Sequence, residues 1–101
     1  MRMEKRTPHC KLAIVKKLVT EDRVRATSSA YADARALGIT NLSGMCAVVL
    51  NLESSDFYKS MTTYADHRVW QDVYRTQTAA GDVYLKLTVI DDVLIVSFKE
   101  L

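Results

Sequence analysis

The segment VYLKLTVIDDVLIVSFK, residues 83–99, decides the fold because apolar and polar residues alternate along much of it. Two runs rich in β-branched residues, Val83 to Ile90 and Val93 to Lys99, flank the pair Asp91-Asp92. This arrangement predicts a β-hairpin with a two-residue turn, although Asp-Asp is a weaker turn pair than Asp-Gly.

The turn also predicts which residues face one another, because a two-residue loop sets the register of a hairpin. Ile90 then opposes Val93, and one face of the hairpin is entirely apolar. That face is expected to pack against helices, and it consists of Val83, Leu85, Leu87, Val89, Leu94, Val96 and Phe98. A slip by one residue would bury a lysine instead, so we expect the register to hold.

The opposite face of the hairpin is predicted to be polar. Tyr84 is expected opposite Lys99, and Lys86 opposite Ser97. A phenol and an ammonium group thus become neighbours on the side away from the core. An ordinary solvated pair on an exposed face is the alternative interpretation.

A second unusual stretch, DFYKSMTTYADHRVWQDVYR at residues 56–75, precedes the hairpin. It contains four Tyr or Phe, the single Trp, one Lys, two Arg, one His and one Gln. Cationic and amide side chains of this kind contact phosphate, and such rings stack on bases. We predict two strands here, Phe57 to Tyr64 and Val69 to Arg75, followed by a loop from Thr76 to Gly81. Ordinary aromatic contacts between two strands would give a similar composition.

The N-terminal part of the chain has helical patterns instead. Thr7 is predicted as an N-cap with Pro8 in the first helical position, and this helix is expected to run to about Val19. Its lysines could attract a polyanion, or they could simply form a solvated helix face. The residues from Val24 to Thr27 are predicted to be extended.

Two further helices are predicted before the strands. The second begins after Ser28 or Ser29 and ends at Gly38. The third begins near Asn41 or Ser43, although its β-branched residues leave a strand possible. Helices followed by antiparallel strands give an α+β fold, with the N-terminal helices packed on one face of an antiparallel β-sheet.

Length and composition favour one globular domain over residues 1–101. Hydrophobic residues make up 49% and charged residues 26%, a balance that argues against disorder. No apolar run approaches the roughly 18 residues needed to span a bilayer. Cys10 and Cys46 are too few for a disulfide framework or a zinc site, and the N-terminus lacks the apolar core of a signal peptide. We therefore expect a reduced, cytoplasmic protein.

The charges are unevenly distributed along the chain. Residues 1–50 contain nine Lys or Arg against four acidic residues, whereas residues 51–101 contain five against eight. A basic half can attract a polyanion such as RNA. Gradients of this kind are also common in small domains, so the pattern is consistent with RNA binding without being specific for it.

Several strings closely resemble the motility quorum-sensing regulator toxins, MqsR. They are FYKSMTTYADHRVWQDVYR (57–75), GDVYLKLTVIDDVLIVSFKE (81–100), MEKRTPH (3–9), VKKLV (15–19) and GMC (44–46). The likeness extends over nearly the whole chain from Met3 onward. One departure is Thr76-Gln77, where the family often has a proline, so this loop is expected to be less rigid.

The resemblance implies a RelE-like fold and a metal-independent mRNA endoribonuclease that prefers GC-containing trinucleotides, above all GCU. It also implies a cognate antitoxin, MqsA, which binds zinc and DNA; the toxin itself needs no cofactor or metal and meets DNA only through that antitoxin. By matching positions, it places catalytic residues at Lys59, Gln71, Tyr84 and Lys99. The surrounding substrate-binding residues fall at Tyr58, Met61 and Arg75.

These residue types suit metal-free RNA cleavage, in which the 2′-hydroxyl attacks the neighbouring phosphate. Lys59 and Lys99 can neutralise charge on the phosphate oxygens, and Tyr84 can donate a proton. If the two lysines lie close together, repulsion lowers the pKa of one of them, which becomes a candidate base. Gln71 can orient the phosphate or read a base edge, and Tyr58 can stack on a nucleotide.

Other interpretations remain open at this point. His67 could be a general base, but a single histidine in a predicted turn, without a group to orient it, is more often structural or solvated. Trp70 is more often a core residue than a base platform. A non-catalytic RNA-binding domain or a protein-binding regulator would use many of the same side chains.

Overall fold

An N-terminal arm, residues 2–11, precedes the first helix, and three helices precede the main strands. The structure, a computed structural model, describes residues 2–101, so Met1 lies outside the described residues. The elements are β1 (Glu4–Lys5), α1 (Leu12–Thr20), β2 (Val24–Ala26), α2 (Ser28–Ala36), α3 (Leu42–Leu50), a 3₁₀ turn (Ser54–Asp56), β3 (Phe57–Thr62), β4 (Trp70–Thr78), β5 (Gly81–Ile90) and β6 (Asp92–Glu100). No helix in the described range is long and apolar enough to cross a membrane.

The strands form one sheet in the order β1-β3-β4-β5-β6-β2. All neighbouring strands are antiparallel except β2, which runs parallel to β6 at the edge. The helices cover one face, where buried side chains from helices and strands form a common core. The α+β prediction with helices on one face is therefore confirmed, with a mostly rather than wholly antiparallel sheet.

The hairpin register is correct at its open end and wrong near the turn. Tyr84 pairs with Lys99, as predicted, but the register shifts between Lys86 and Leu87. Val96 is left as the extra residue of a β-bulge, and Asp91 alone occupies the tip with a φ of 64°. An inserted residue reverses the alternation of side chains on the strand beyond it.

The bulge changes which residues of β6 enter the core. Val93 and Ile95 are fully buried, whereas Leu94 and Val96, predicted for the core face, are half-buried. Phe98 lies between the bulge and the open end of the hairpin and is fully buried, as predicted. The predicted set of core residues on β6 is therefore wrong only at the bulge and between the bulge and the turn.

The first helix begins later than predicted. It starts at Leu12 with Lys11 as its N-cap, so Thr7 and Pro8 lie outside it. The cause is tertiary: the buried carboxylate of Asp72 accepts hydrogen bonds from the backbone N–H groups of His9 (2.9 Å) and Cys10 (3.0 Å). These bonds hold the arm against the sheet where a helix had been predicted.

The second helix agrees closely with its prediction. Thr27, one residue earlier than predicted, caps α2 by accepting a hydrogen bond from the Ala30 N–H. Gly38, with a φ of 82°, ends α2 in a Schellman motif, in which the Ile39 N–H donates to the carbonyl oxygen of Ala34.

The remaining predictions were right about the type of element and inexact about its ends. Asn41 caps α3, and the helical interpretation of that segment is confirmed. The predicted loop at 76–81 is wrong in part, because β4 continues to Thr78 and β5 begins at Gly81. Cross-strand pairing with β5 keeps this segment extended.

We predict that the bulge determines the cost of truncating β6 side chains. Ile95→Ala should lower the free energy of unfolding by about 2–5 kcal/mol and Phe98→Ala by about 3–5 kcal/mol, because both create buried cavities. Leu94→Ala should cost about 1 kcal/mol, since its side chain already contacts solvent. Urea unfolding of the three variants tests this. Equal losses for Leu94→Ala and Ile95→Ala would contradict the bulged register.

Candidate active site on the open face of the sheet

The face of the sheet away from the helices, here called the open face, collects the predicted site residues from four strands. Paired residues project to the same side of a sheet, so cross-strand partners form rows across it. One row runs Arg75–Tyr84–Lys99, and the next runs Lys59–Val73–Lys86–Ser97. A third row begins with Met61–Gln71. All four residues predicted as catalytic therefore lie on the open face.

Tyr84 and Lys99 are direct partners on neighbouring strands. Strands in a sheet are about 4.8 Å apart, which leaves a phenol and an ammonium side by side. Tyr84 is half-buried and Lys99 is exposed. This pairing confirms the neighbourhood that the hairpin register predicted.

Lys59 and Lys99 are not adjacent. They lie on β3 and β6, which are separated by β4 and β5, so their backbones are about 14 Å apart. The strand positions therefore do not support the predicted repulsion between the Lys59 and Lys99 ammonium groups. Lys86, on β5, lies between them.

Tyr58 and Arg75 form a stacked pair at one end of the open face. The register of β3 against β4 shifts between Phe57 and Lys59, which makes Tyr58 the extra residue of a bulge. The Arg75 guanidinium carbon is 3.6 Å from the centroid of the Tyr58 ring. One side of this ring is thus covered by a cation, and the Lys59 Nζ and the Arg6 guanidinium carbon also lie 5.3 Å and 5.6 Å from its centroid.

Glu4 is an acidic residue at the edge of this cationic site. Its Oε1 lies 2.9 Å from the Lys59 Nζ and 3.3 Å from an Arg2 nitrogen. The hydrogen bond from Lys59, followed by the charge of Lys59, lowers the pKa of the Glu4 carboxyl. Sequence reasoning missed Glu4, because the two-residue strand β1 has no periodicity by which to recognise it.

The N-terminal arm that carries Glu4 is held in place by side chains of the sheet. The Thr62 hydroxyl accepts a hydrogen bond from the Met3 N–H at 2.8 Å, and Asp72 fixes residues 9 and 10. Glu4 itself pairs with Met61 in the β1–β3 ladder. Met61 is only 4% exposed beneath this arm, so any effect on substrate would come from packing.

Lys86 is a second residue that sequence reasoning did not assign to the site. Its side chain is half-buried on the open face, between Val73 and Ser97. Burial lowers the pKa of the Lys86 ammonium, and the charges of Lys99, Arg2 and Lys59 lower it further. The hairpin register could have suggested it, since it placed Lys86 on the polar face.

Two conspicuous residues lie away from this site. His67 is exposed in the turn between β3 and β4. Trp70 is half-buried on the helix side, where its ring stacks on His9 at 5.4 Å and lies 4.3 Å from the Lys5 Nζ. Trp70 therefore supports the N-terminal arm, neither filling the main core nor joining the open face.

The charged side chains within residues 2–101 do not form a cluster of metal ligands. No group of three or more His, Cys, Asp or Glu side chains in that range is arranged to hold an ion. Both cysteines are free and half-buried, and burial raises the pKa of each thiol. The chemistry available on the open face is that of ammonium, guanidinium, phenol and amide groups.

The fold and site define a small α+β protein with a cationic, aromatic sheet surface. Residues 7–100 match a family described as motility quorum-sensing regulator, toxin of MqsA. The mRNA interferase toxin MqsR of Escherichia coli (strain K12) is 62% identical over 98 residues, which cover 97% of this chain and 99% of that protein. The chain therefore belongs to the MqsR toxin family.

Proposed function

We propose that this chain is the toxin of a type II toxin–antitoxin pair and acts as a metal-independent endoribonuclease on mRNA. The observation that carries the proposal is the pairing of Tyr84 with Lys99 on a face that also contains Lys59, Gln71 and Arg75. Its relative in E. coli is named an mRNA interferase, which supports the same substrate class. The preferred sites are GC-containing trinucleotides such as GCU.

The reaction uses the nucleophile that RNA already contains. The 2′-hydroxyl loses its proton and its oxygen attacks the adjacent phosphorus, while the bond from phosphorus to the 5′-oxygen breaks. Charge builds up on the phosphate oxygens in the transition state, and cations placed beside them lower the barrier. The departing 5′-oxygen requires a proton, which a phenol can donate.

The positions of the side chains suggest a division of roles. Lys99 is exposed beside Tyr84, so one phosphate group could contact the ammonium while its leaving oxygen meets the phenol. Lys59 can exchange its contact with Glu4 for a phosphate oxygen, because a partly exposed ion pair contributes little and is easily replaced. Gln71 offers an amide for a base edge or the phosphate. Arg75 and Tyr58 form the binding surface at the end of the row.

We predict that replacing the catalytic side chains abolishes cleavage without unfolding the protein. In an assay with GCU-containing RNA and EDTA, Lys59→Ala, Tyr84→Ala and Lys99→Ala should each lose on the order of 10²–10⁴ in rate. Their melting temperatures should remain near that of the parent, because these side chains are outside the core. Tyr84→Phe separates the hydroxyl from the ring: a large loss would identify the phenol as an acid or hydrogen-bond donor, and retained activity would reduce Tyr84 to a stacking surface.

His67→Ala is the matched control, because His67 is exposed in the turn between β3 and β4 and belongs to neither strand. It should cleave within about tenfold of the parent, a difference of roughly 1.4 kcal/mol in barrier. If His67→Ala were inactive and the lysine variants active, the proposed site would be wrong. Retention of RNA without cleavage by the parent would indicate a binding domain, and neither activity would indicate a protein-binding regulator.

We also propose a cognate, zinc-binding antitoxin as the protein partner, since the family description names a toxin of MqsA. Coexpression of this chain with the product of the neighbouring reading frame should yield a stable complex that contains zinc. Size-exclusion chromatography with metal analysis of the complex tests this. If no neighbouring protein copurifies with the chain, the partner proposal fails.

A further inference from the structure

The central position on the open face belongs to Lys86. It shares a row with Lys59, two strands away, and it is two residues from Tyr84 on the same face of β5, about 6.6 Å along the strand. Lys99 lies diagonally across from it, because Lys99 pairs with Tyr84 while Lys86 pairs with Ser97. A phosphate group held between Tyr84 and the lysines would therefore lie above or beside the Lys86 side chain.

Lys86 differs from the other two lysines of this face in its surroundings. Lys59 donates a hydrogen bond to Glu4, and Lys99 is exposed to solvent. Lys86 is half-buried, and within residues 2–101 its ammonium has neither a hydrogen-bond acceptor nor a carboxylate partner. Partial burial without a neighbouring anion disfavours the charged ammonium relative to the uncharged amine.

The charged groups facing Lys86 come from every neighbouring element. Lys99 faces it from β6, Lys59 from β3 and Arg2 from the N-terminal arm, and all three are positive. Glu4 on β1 is the nearby anion, but it is paired with Lys59 and Arg2.

On β4 and β5 themselves, the titratable neighbours are Arg75 and Tyr84. Arg75 lies in the next row and is stacked on Tyr58. The Tyr84 ring centroid is 6.0 Å from the Lys86 Nζ. The positive charges around Lys86 all favour the loss of its proton.

We propose that Lys86 is the proton acceptor of the cleavage reaction, an inference that rests on the ribonuclease function proposed above. The lone pair of its uncharged amine takes the proton of the 2′-hydroxyl as the 2′-oxygen forms a bond to phosphorus. The bond from phosphorus to the 5′-oxygen breaks, and that oxygen takes the proton of the Tyr84 phenol. The products are a 2′,3′-cyclic phosphate and a 5′-hydroxyl, and no oxidant or second substrate is consumed.

Two substitutions distinguish a base from a cation that merely binds phosphate. Lys86→Met keeps the apolar stem and removes the amine, whereas Lys86→Arg keeps a positive charge that is never lost at usable pH. As a base, Lys86 requires both variants to lose on the order of 10²–10⁴ in single-turnover rate. Lys17→Met, on the exposed surface of α1, is the matched control and should cleave like the parent.

The pH dependence provides a readout that a purely structural role would not change. The rate for the parent should fall as pH decreases below the pKa of Lys86, because the protonated amine accepts no proton. The residual rate of Lys86→Met should lack this acidic limb. Its melting temperature should equal or exceed that of the parent near neutral pH, since the substitution removes a poorly solvated charge surrounded by other cations.

The cleavage rates of the two Lys86 variants and of the parent distinguish the possible roles of Lys86. Lys86→Arg cleaving within tenfold of the parent would overturn the inference and make Lys86 a phosphate contact. Lys86→Met cleaving like Lys17→Met would remove Lys86 from the reaction, while a cleaving parent would leave the proposed function intact. A parent protein that left GCU-containing RNA uncut would overturn the proposed function and this inference with it.

Discussion

The pairing of β5 with β6 is the interaction on which the rest of the structure depends. The same two strands must supply apolar side chains to the helices and the polar row of Tyr84 and Lys99 to the open face. Simple alternation would satisfy both requirements in one register. The bulge at Val96 instead allows Phe98 to be buried on one side of it and Ile95 on the other, while Lys99 stays exposed.

The open face concentrates positive charge, which has a cost in the free protein. Lys86 is half-buried near Lys59 and Lys99, and of these three lysines only Lys59 has a carboxylate partner within residues 2–101. Repulsion of this kind destabilises a fold and is retained where a site requires it. Glu4 offsets part of the repulsion, and the arm that carries Glu4 depends on the hydrogen bonds of Asp72. The buried carboxylate on one face thus influences the electrostatics of the other.

Much of the fold could be predicted from sequence, because hydrophobic alternation and capping residues are local signals. The pairing of Tyr84 with Lys99, the end of α2 at Gly38 and the cap of α3 at Asn41 follow from such signals. The bulge at Val96 could not be predicted, since neither a glycine nor another special residue marks it. The role of Asp72 could not be predicted either, because its hydrogen bonds are made to residues more than 60 positions away in the sequence.

The candidate site was predicted less completely than the fold. The hairpin register places Lys86 on the polar face, but its central position follows only from the order of β3, β4, β5 and β6, which is a tertiary property. The excess of positive charge in residues 1–50 also favoured the first half of the chain as the part that attracts RNA. Most cations of the open face come from residues 51–101, the acidic half, because alternation along the strands directs them to one side.

The central claim is that RNA binds across the open face, and a chemical-shift map tests it directly. Isotope-labelled protein would be titrated with a GCU-containing RNA in which deoxyribose at the cleavage position prevents attack on the phosphate. We expect the largest amide shifts at Val73, Tyr84, Lys86 and Lys99. Shifts concentrated instead on α1, α2 and α3, with the four strand residues unchanged, would contradict the account.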